Sequence, residues 1–190
     1  MKRILIVDFD DSFIYNVAEL CQRWELDFEV HHFSKVTREF IENNNFKNII
    51  WGPGPGHPDQ YSEISSLLKE LLSEEFFHLG ICLGHQLIFK ALGFEIENAE
   101  VKRHGRSGGF IIPKWPVYEQ EDWGKEVEVQ YYNSLAVKAP KSETDLDLAI
   151  KDGAIMSGFG KSFLSYQFHP ESVGTSCPDL LFRGFREKLI

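Results

Sequence analysis

Short apolar runs alternate with amphipathic segments along the first half of the chain. Residues 3–7 form a continuous apolar run of strand-forming residues, which is typical of a strand that is buried on both faces of a parallel sheet. Apolar residues at helical spacing come next and predict a helix that packs one face on that sheet. These residues are Phe13, Val17, Leu20, Cys21 and Trp24. Ser12 precedes them and is a candidate N-cap for the helix.

The alternation of strand and helix patterns continues as far as residue 92. Further strands are predicted at residues 28–33, 48–51 and 76–81, and further helices at residues 34–43, 61–72 and 86–92. A chain in which strands and helices alternate in this way builds βαβ units, and these place their strands side by side in a parallel sheet.

After residue 92, short apolar runs separated by turns replace the alternation of strands and helices. They predict further strands, several of them antiparallel, at residues 95–103, 109–112, 127–132, 136–138, 146–150, 154–158 and 163–168. A helix at residues 178–189 follows, and Pro178 suits its first turn. We therefore expect an α/β protein with three layers, α/β/α, around a mixed, mostly parallel central sheet, and a single domain over residues 1–190.

The composition limits the kinds of binding partner and the cellular compartment that we expect. The 190 residues are 43% hydrophobic and carry a formal net charge of −9, so we expect a sizeable core and no binding to nucleic acid or to an anionic membrane. No apolar run approaches the roughly 18 residues that span a membrane. The three cysteines show no paired spacing, which predicts a reducing, cytoplasmic compartment without disulfides.

The histidines do not indicate a metal site. No Cys and His residues stand at the paired spacing of a zinc site, and we predict no metal and no cofactor. His57 and His85 lie in motif segments but have no evident partner in the sequence.

A cysteine between two glycines marks a strand-to-helix turn at residues 80–86, Gly-Ile-Cys-Leu-Gly-His-Gln. This spacing is that of a nucleophile elbow with cysteine in place of serine, in which a strained backbone lifts the nucleophile clear of the sheet. Gly80 and Gly84 lack a Cβ and let neighbouring backbone approach. The N-terminus of the following helix favours a thiolate at Cys82. A buried core cysteine in an ordinary turn fits this pattern, taken alone, equally well.

Four polar or glycine-rich stretches follow predicted strands, at residues 8–12, 52–58, 82–86 and 167–172. The loops that follow parallel strands gather at one edge of an open α/β sheet, where ligands bind. We therefore expect these stretches to be neighbours in the fold, although they lie far apart in the sequence.

His169 and Glu171 stand two residues apart in the last of these stretches. In an extended segment such residues project to the same side. Glu171 can therefore accept a hydrogen bond from one imidazole nitrogen and leave the other free to take the proton of Cys82. A nucleophile, a base and an orienting carboxylate suit acyl transfer through a thioester.

The alternation of glycine and proline at residues 52–58 supplies a further part of such a site. It stiffens the loop and leaves backbone amides exposed, so the amide of Gly54, together with that of Leu83, would form an oxyanion hole. In isolation, a stretch of this composition is more often an ordinary loop.

Taken together, the elbow at residues 80–86 and the His-Pro-Glu segment at 169–171, downstream of the Gly-Pro-Gly loop at 54–56, closely resemble the class I, or triad, glutamine amidotransferases. The resemblance covers nearly the whole chain and implies the flavodoxin-like topology of that family. It implies hydrolysis of L-glutamine to glutamate and ammonia through a Cys-His-Glu triad. Cys82 would form a γ-glutamyl thioester, His169 would act as acid and base, and Glu171 would orient His169.

Within that family, residues 8–16, 104–107 and 132–135 resemble the glutaminase subunits of anthranilate synthase and of aminodeoxychorismate synthase. The resemblance implies that the partner is a larger synthase subunit, which receives the ammonia and aminates chorismate. By position it also implies a glutamine pocket lined by Gly54, Pro55, Gly56, Gln86, Ser134 and Leu135. The chain departs from the usual family residues at Gly52, His57 and Asn133.

Other functions remain open at this point. A stand-alone cysteine hydrolase for γ-glutamyl compounds would use the same triad without a partner, an amidotransferase could serve another acceptor, and a scaffolding subunit would keep only the fold. Residues 4–12 also fit the opening of haloacid-dehalogenase phosphatases, in which Asp8 is the nucleophile and binds magnesium with Asp10. The second aspartate pair of such enzymes is matched only by Asp145 and Asp147, inside a predicted strand.

Overall fold

The computed structural model describes residues 3–72, 75–99 and 105–189, and these residues form eleven strands and five α-helices. The strands are β1 (Arg3–Asp8), β2 (Asp27–His32), β3 (Asn48–Trp51), β4 (Phe77–Ile81), β5 (Ile96–Asn98), β6 (Arg106–Ile111), β7 (Glu126–Tyr131), β8 (Leu135–Lys138), β9 (Asp147–Lys151), β10 (Ala154–Phe159) and β11 (Phe163–Tyr166). The helices are α1 (Ile14–Arg23), α2 (Arg38–Asn43), α3 (Ser62–Leu71), α4 (Leu83–Ala91) and α5 (Pro178–Arg186). Short 3₁₀ helices lie at Phe33–Lys35, Pro58–Tyr61 and Gln120–Asp122.

Nine of these strands form one central sheet. Five of them, in the order β2-β1-β3-β4-β11, are paired in parallel. β10 runs antiparallel to β11, β9 and β8, and β5 runs antiparallel to β8. β6 and β7 form a separate antiparallel pair. The expectation of a mixed sheet with a parallel majority is therefore confirmed.

Helices cover both faces of the central sheet because its strands are apolar on both faces. In β1, Ile4 and Ile6 pack in one apolar cluster with residues of α1 and α5. Leu5 and Val7 pack in a second cluster with residues of α2, α3 and α4. Successive side chains of a strand point to opposite faces, so a continuous apolar run needs cover on both sides. The three-layer α/β/α architecture expected from the sequence is confirmed.

The start of α1 differs from the prediction. Phe13, and not Ser12, holds the N-cap position, and its side chain makes no capping hydrogen bond. Asp11 satisfies the free amides instead. Its Oδ1 accepts a hydrogen bond of 2.8 Å from the Phe13 amide, and its carbonyl accepts one of 3.1 Å from the Ile14 amide. An aspartate one position earlier therefore replaces the predicted serine cap.

The helix predicted at residues 34–43 is divided in two. A 3₁₀ turn at Phe33–Lys35 is separated from α2 by Val36 and Thr37, whose backbone is extended. Thr37 Oγ1 accepts a hydrogen bond of 3.1 Å from the Phe40 amide and so caps α2. The break occurs because this threonine satisfies the amides of a new helix start.

Other boundaries shift by a few residues. α4 begins at Leu83 and not at Gln86, and α5 ends at Arg186 and not at Leu189. The strand predicted at residues 95–103 is the short β5, and residues 100–103 lie outside the described residues. Among the residues that the structure describes, no helix is both long enough and apolar enough to cross a membrane.

Candidate active site

The carboxyl ends of β1, β3, β4 and β11 meet at one edge of the sheet. Backbone hydrogen bonds join the segments that follow these strands. The Gly52 amide donates to the Val7 carbonyl at 3.2 Å, and the Gly84 amide donates to the Gly52 carbonyl at 3.2 Å. The Cys82 amide donates to the Tyr166 carbonyl at 2.8 Å. The predicted convergence of these segments is therefore confirmed.

Cys82 occupies a sharp turn between β4 and α4. Its φ of 52° and ψ of −100° lie in a region that non-glycine residues rarely adopt, so the surrounding structure holds its backbone under strain. A Cβ on Gly84 would lie 2.0 Å from the carbonyl oxygen of Trp51. A Cβ on Gly80 would lie 2.8 Å from the carbonyl oxygen of Gly84. Both glycines are therefore required by space, as the elbow pattern predicts.

His169 and Glu171 form a buried hydrogen-bonded pair in the segment after β11. Nδ1 of His169 lies 2.7 Å from Oε1 of Glu171, and the two side chains are 2% and 0% exposed. Nε2 of His169 makes no hydrogen bond to any residue of 3–72, 75–99 or 105–189. Burial lowers the pKa of His169, but its electrostatic and hydrogen-bonding interactions with Glu171 and Cys82 outweigh burial and raise that pKa well above its ordinary value. The imidazole is thus oriented by a carboxylate and electrostatically coupled to the thiol.

The backbone and ring of His169 are held from several sides. Its amide donates a hydrogen bond of 2.9 Å to the Gln130 carbonyl, and its carbonyl accepts one of 2.7 Å from Thr175 Oγ1. Its ring packs against Phe13 and Tyr132, at centroid distances of 5.3 and 4.9 Å. None of these four neighbours was predicted as a site residue, because they come from segments that only the fold brings together.

A cavity of about 210 Å³ opens beside Cys82. Its lining includes all six residues that were predicted to surround a substrate, together with Tyr132 and Asn133, which were not. The full lining is Gly54, Pro55, Gly56, Cys82, Leu83, Gln86, Tyr132, Asn133, Ser134 and Leu135. Residues from three distant parts of the chain therefore form one wall around the thiol.

Gly54 and Leu83 are in contact at the wall of this cavity. A Cβ on Gly54 would lie 2.5 Å from Leu83 Cδ2 and 2.5 Å from Phe9 Cβ, so the loop packs directly on the start of α4. Neither the Gly54 amide nor the Leu83 amide donates a hydrogen bond within the described parts of the chain. Two free donors beside a nucleophile are what an oxyanion hole requires.

A larger cavity, of about 610 Å³, lies between α3 and the segment that joins β2 to α2. Its wall contains neither the cysteine elbow nor the His169–Glu171 pair. Cys82 therefore lines the smaller cavity and not the larger one.

Gln167 lies beside Cys82, although no role was predicted for it. It is fully buried, and its Nε2 lies 3.9 Å from Cys82 Sγ. Its Oε1 accepts a hydrogen bond of 3.1 Å from Gln86 Nε2. The sequence carries a signal for this position, since Gln167 stands two residues before His169 and such residues project to the same side of an extended segment.

The two histidines that had no evident partner in the sequence both have one. His57 Nδ1 accepts a hydrogen bond of 3.1 Å from the Asp59 amide and caps the 3₁₀ helix after it. His85 is buried in α4, with Nδ1 3.0 Å from Ser165 Oγ and Nε2 3.1 Å from the Ile155 carbonyl oxygen. Burial lowers the pKa of His85 to about 3, so this imidazole stays neutral. Both histidines therefore have structural partners away from the reactive groups.

The Asp8 side chain accepts hydrogen bonds within the loop that follows β1. Its Oδ1 accepts hydrogen bonds from the amides of Asp10 and Asp11, at 2.9 and 3.4 Å. Asp147 is exposed in β9. Over residues 3–72, 75–99 and 105–189, no group of three or more His, Cys, Asp or Glu side chains is placed to hold a metal ion. The carboxylate cluster of a haloacid-dehalogenase phosphatase is thus not assembled in this part of the chain.

Gly52 and Asn133, two departures from the usual family residues, have local structural reasons. A Cβ on Gly52 would lie 2.7 Å from the Val7 carbonyl oxygen and 2.5 Å from Ile14 Cδ1, so a side chain here would force the loop away from β1. Asn133 Nδ2 donates a hydrogen bond of 2.9 Å to the Leu135 carbonyl and so braces the cavity wall.

A family model described as glutamine amidotransferase class-I matches residues 5–188. The chain belongs to this family. The match includes the cysteine elbow, the cavity and the His169–Glu171 pair, so the site lies in the part of the chain that defines membership. The protein is accordingly a glutamine amidotransferase enzyme, and the expected fold class and enzyme family are confirmed.

Named relatives match over nearly the whole chain. It is 33% identical over 182 residues to anthranilate synthase component 2 of Saccharolobus solfataricus, with 93% of each chain covered. It is 32% identical over 191 residues to the bifunctional protein TrpGD of Thermotoga maritima, with 97% of this chain and 32% of that protein covered. It is 29% identical to aminodeoxychorismate synthase of Streptomyces griseus, with 97% and 26% covered. The chain thus spans nearly all of the first relative and about a third or less of the other two.

A solved structure shares the architecture. A Thermoplasma acidophilum protein, provisionally described as part of a GMP synthase, superimposes with a TM-score of 0.81 at 18% sequence identity, covering 97% of this chain and 92% of its own. At this identity the likeness shows the fold alone.

Proposed function

We propose that this amidotransferase hydrolyses L-glutamine to glutamate and ammonia, and delivers the ammonia to a larger synthase subunit that aminates chorismate. The observation that carries the hydrolysis is the 2.7 Å contact between His169 Nδ1 and Glu171 Oε1, in a pair whose imidazole is electrostatically coupled to Cys82. The reaction as proposed uses no metal and no cofactor.

Cys82 attacks the side-chain carbonyl carbon of glutamine as a thiolate. A protonated His169, favoured by its raised pKa, and the N-terminus of α4 stabilise the thiolate. The new bond joins sulfur to carbon, and the carbonyl oxygen takes up the negative charge. The amides of Gly54 and Leu83 donate to that oxygen, and the loss of one such donor typically costs about 3 kcal/mol of barrier.

His169 then gives its proton to the leaving nitrogen. The carbon–nitrogen bond breaks, ammonia departs, and a γ-glutamyl thioester remains on Cys82. Neutral His169 next takes a proton from water, whose oxygen attacks the thioester carbon. The carbon–sulfur bond breaks and glutamate leaves. Glu171 stays hydrogen-bonded to Nδ1 of His169 throughout the reaction, so Nε2 is the nitrogen that exchanges the protons.

The glutamine lies in the 210 Å³ cavity. The residues that we assign to its binding are Gly54, Pro55, Gly56, Gln86, Ser134 and Leu135. Cys82 lines the same cavity, so binding there places the side-chain amide beside the nucleophile and gains rate by proximity.

The acceptor is an anthranilate or aminodeoxychorismate synthase subunit in this proposal. Support comes from the match to anthranilate synthase component 2 over 93% of each chain, and from the similarity to an aminodeoxychorismate synthase. We assign the chain to the cytoplasm because it relies on a free thiol, which a reducing compartment preserves. Residues 1–190 act as one amidotransferase domain.

Activity of Cys82 variants, assayed with a chorismate-using synthase subunit, tests this function. Cys82→Ala and Cys82→Ser should abolish glutamine-dependent product formation, because no thioester can form. The same mixtures supplied with ammonium salts should still form product, because the synthase subunit is intact. Full glutamine-dependent activity in Cys82→Ala would contradict the proposal. High glutaminase or γ-glutamyl hydrolase turnover by the isolated chain would instead favour a stand-alone hydrolase.

A further inference from the structure

Two buried amide side chains connect the cavity wall to the nucleophile. Gln86 Nε2 donates to the Leu135 carbonyl oxygen at 3.2 Å and to Gln167 Oε1 at 3.1 Å. Gln167 Nε2 in turn lies 3.9 Å from Cys82 Sγ. Gln86 and Gln167 are 3% and 0% exposed, so bulk water does not replace these partners.

The carbonyl of Leu135 determines the direction of every hydrogen bond in this series. A carbonyl oxygen only accepts, so Gln86 must turn its NH₂ group toward it. The same NH₂ group donates to Gln167, which must therefore present its side-chain oxygen as the acceptor. The NH₂ group of Gln167 is then left toward Cys82. Reversing Gln86 would place its oxygen against the oxygens of Leu135 and Gln167, and reversing Gln167 would place the two NH₂ groups against each other. Either mismatch is costly in a buried setting.

We propose that Gln167 is a catalytic residue that donates a hydrogen bond to the sulfur of Cys82 and stabilises its thiolate form. The inference rests on the proposed function, in which Cys82 is the nucleophile. A charged acceptor makes the stronger hydrogen bond, so this contact strengthens when the thiol loses its proton and again when the thioester sulfur leaves as thiolate. Gln167 and His169 therefore have different tasks: His169 moves the proton, and Gln167 is a donor that does not titrate.

The pH dependence of Cys82 alkylation by iodoacetamide tests this role. The rate is measured by peptide mapping from about pH 5 to about pH 10. Gln167→Glu keeps the shape of the side chain but turns a carboxylate oxygen toward the sulfur, and Gln167→Met removes the donor. We expect the midpoint of the alkylation profile to move up by at least about one pH unit, so that alkylation near pH 7 slows by about tenfold or more.

Two controls separate this effect from general destabilisation. Cys177 is exposed and should react at an unchanged rate in the same samples. Asn48→Leu removes another fully buried amide, at the start of β3, and should leave the Cys82 profile unchanged. If Gln167→Glu does not fold by circular dichroism, Gln167→Met and the shortened Gln167→Asn carry the test.

The outcomes distinguish this inference from the proposed function. A folded Gln167→Glu or Gln167→Met with an unshifted midpoint would overturn the role of Gln167. The proposed function would survive that result if glutamine still protects wild-type Cys82 from alkylation. If glutamine gives wild-type Cys82 no protection and Cys82 reacts no faster than Cys177 near neutral pH, the proposed function fails, and the role of Gln167 fails with it.

Discussion

Thr175 Oγ1 donates a hydrogen bond of 2.7 Å to the carbonyl oxygen of His169. The same hydroxyl oxygen accepts one of 3.1 Å from the Gln130 amide. One buried hydroxyl therefore joins β7 to the segment that carries the His169–Glu171 pair. Because Thr175 bonds to the backbone of His169 and not to its ring, we expect it to act by positioning that residue.

Thr175→Val should slow glutamine hydrolysis without weakening glutamine binding. The variant keeps the shape but removes the shorter of two hydrogen bonds to the His169 carbonyl, which then keeps only the bond of 3.2 Å from the Ser172 amide. Small displacements of a catalytic group can cost about 10²-fold in rate. We expect kcat to fall by about 10- to 100-fold with KM nearly unchanged, as steady-state kinetics would measure. Thr175→Ser keeps the hydroxyl and should restore most of kcat. A rise in KM with kcat unchanged would contradict the positional role.

Replacing Glu171 with Gln should change how stability depends on pH. Glu171 contributes to the raised pKa of His169 in the folded chain. A histidine of this kind stabilises the fold fully below its unfolded pKa, about 6.5, and loses that contribution as pH rises through the raised folded value. The loss in free energy of unfolding caused by Glu171→Gln should therefore be larger near pH 6 than at high pH.

Urea unfolding at a series of pH values measures this effect. The matched control is Glu171→Gln in a His169→Gln background, where the loss should no longer vary with pH because the titrating imidazole is gone. Equal losses for the single variant at pH 6 and at high pH would show that the carboxylate does not hold a proton on His169.

Gly84→Ala should destabilise the fold far more than Gly93→Ala. The new Cβ at Gly84 would lie 2.0 Å from the carbonyl oxygen of Trp51, so backbone must move, and we expect a loss of at least about 3 kcal/mol or failure to fold. Gly93 has open space around its Cβ position and a φ of +89°, so Gly93→Ala should lose only about 1–2 kcal/mol. Denaturant unfolding compares them. Similar losses would show that close packing at the elbow is not the constraint.

Asn133→Leu should raise KM for glutamine by about tenfold, which corresponds to about 1.4 kcal/mol. The variant removes the shorter of the two side-chain hydrogen bonds to the Leu135 carbonyl at the cavity wall, the other being from Gln86. We expect kcat to change little, because Asn133 contacts neither His169 nor Cys82 through a hydrogen bond. Asn98→Leu, an exposed amide on β5, is the control and should leave both constants unchanged. An unchanged KM in Asn133→Leu would contradict this role in glutamine binding.

The parallel half of the fold could be predicted from the sequence because its signals are local. The apolar run before Cys82 and the spacing of Gly80 and Gly84 already specify a strand, an elbow and a helix. The meeting of four segments at one edge follows from parallel topology alone. The helix break at Thr37 and the displaced cap at Asp11 were missed, because a single side chain bonding to a nearby amide decides each of them.

The surroundings of the candidate site residues were harder to predict than the residues themselves. Thr175 and Gln130 reach His169 from positions that no motif in the sequence marks, and nothing in the sequence indicates that the Phe13 ring packs on His169. The partners of His85 likewise come from β10 and β11. Such contacts depend on how the antiparallel strands return across the sheet, which hydrophobic periodicity does not determine.

Covalent labelling of the isolated chain with a glutamine-like diazo-ketone tests the central claim most directly. Intact-mass spectrometry and peptide mapping, with and without excess glutamine, would locate any adduct. We predict a single adduct on Cys82 that glutamine prevents, which would establish nucleophile and pocket together. Labelling of Cys21 or Cys177, or labelling that excess glutamine does not prevent, would contradict the assignment of Cys82 as the nucleophile. This holds even when a chorismate-using subunit is present.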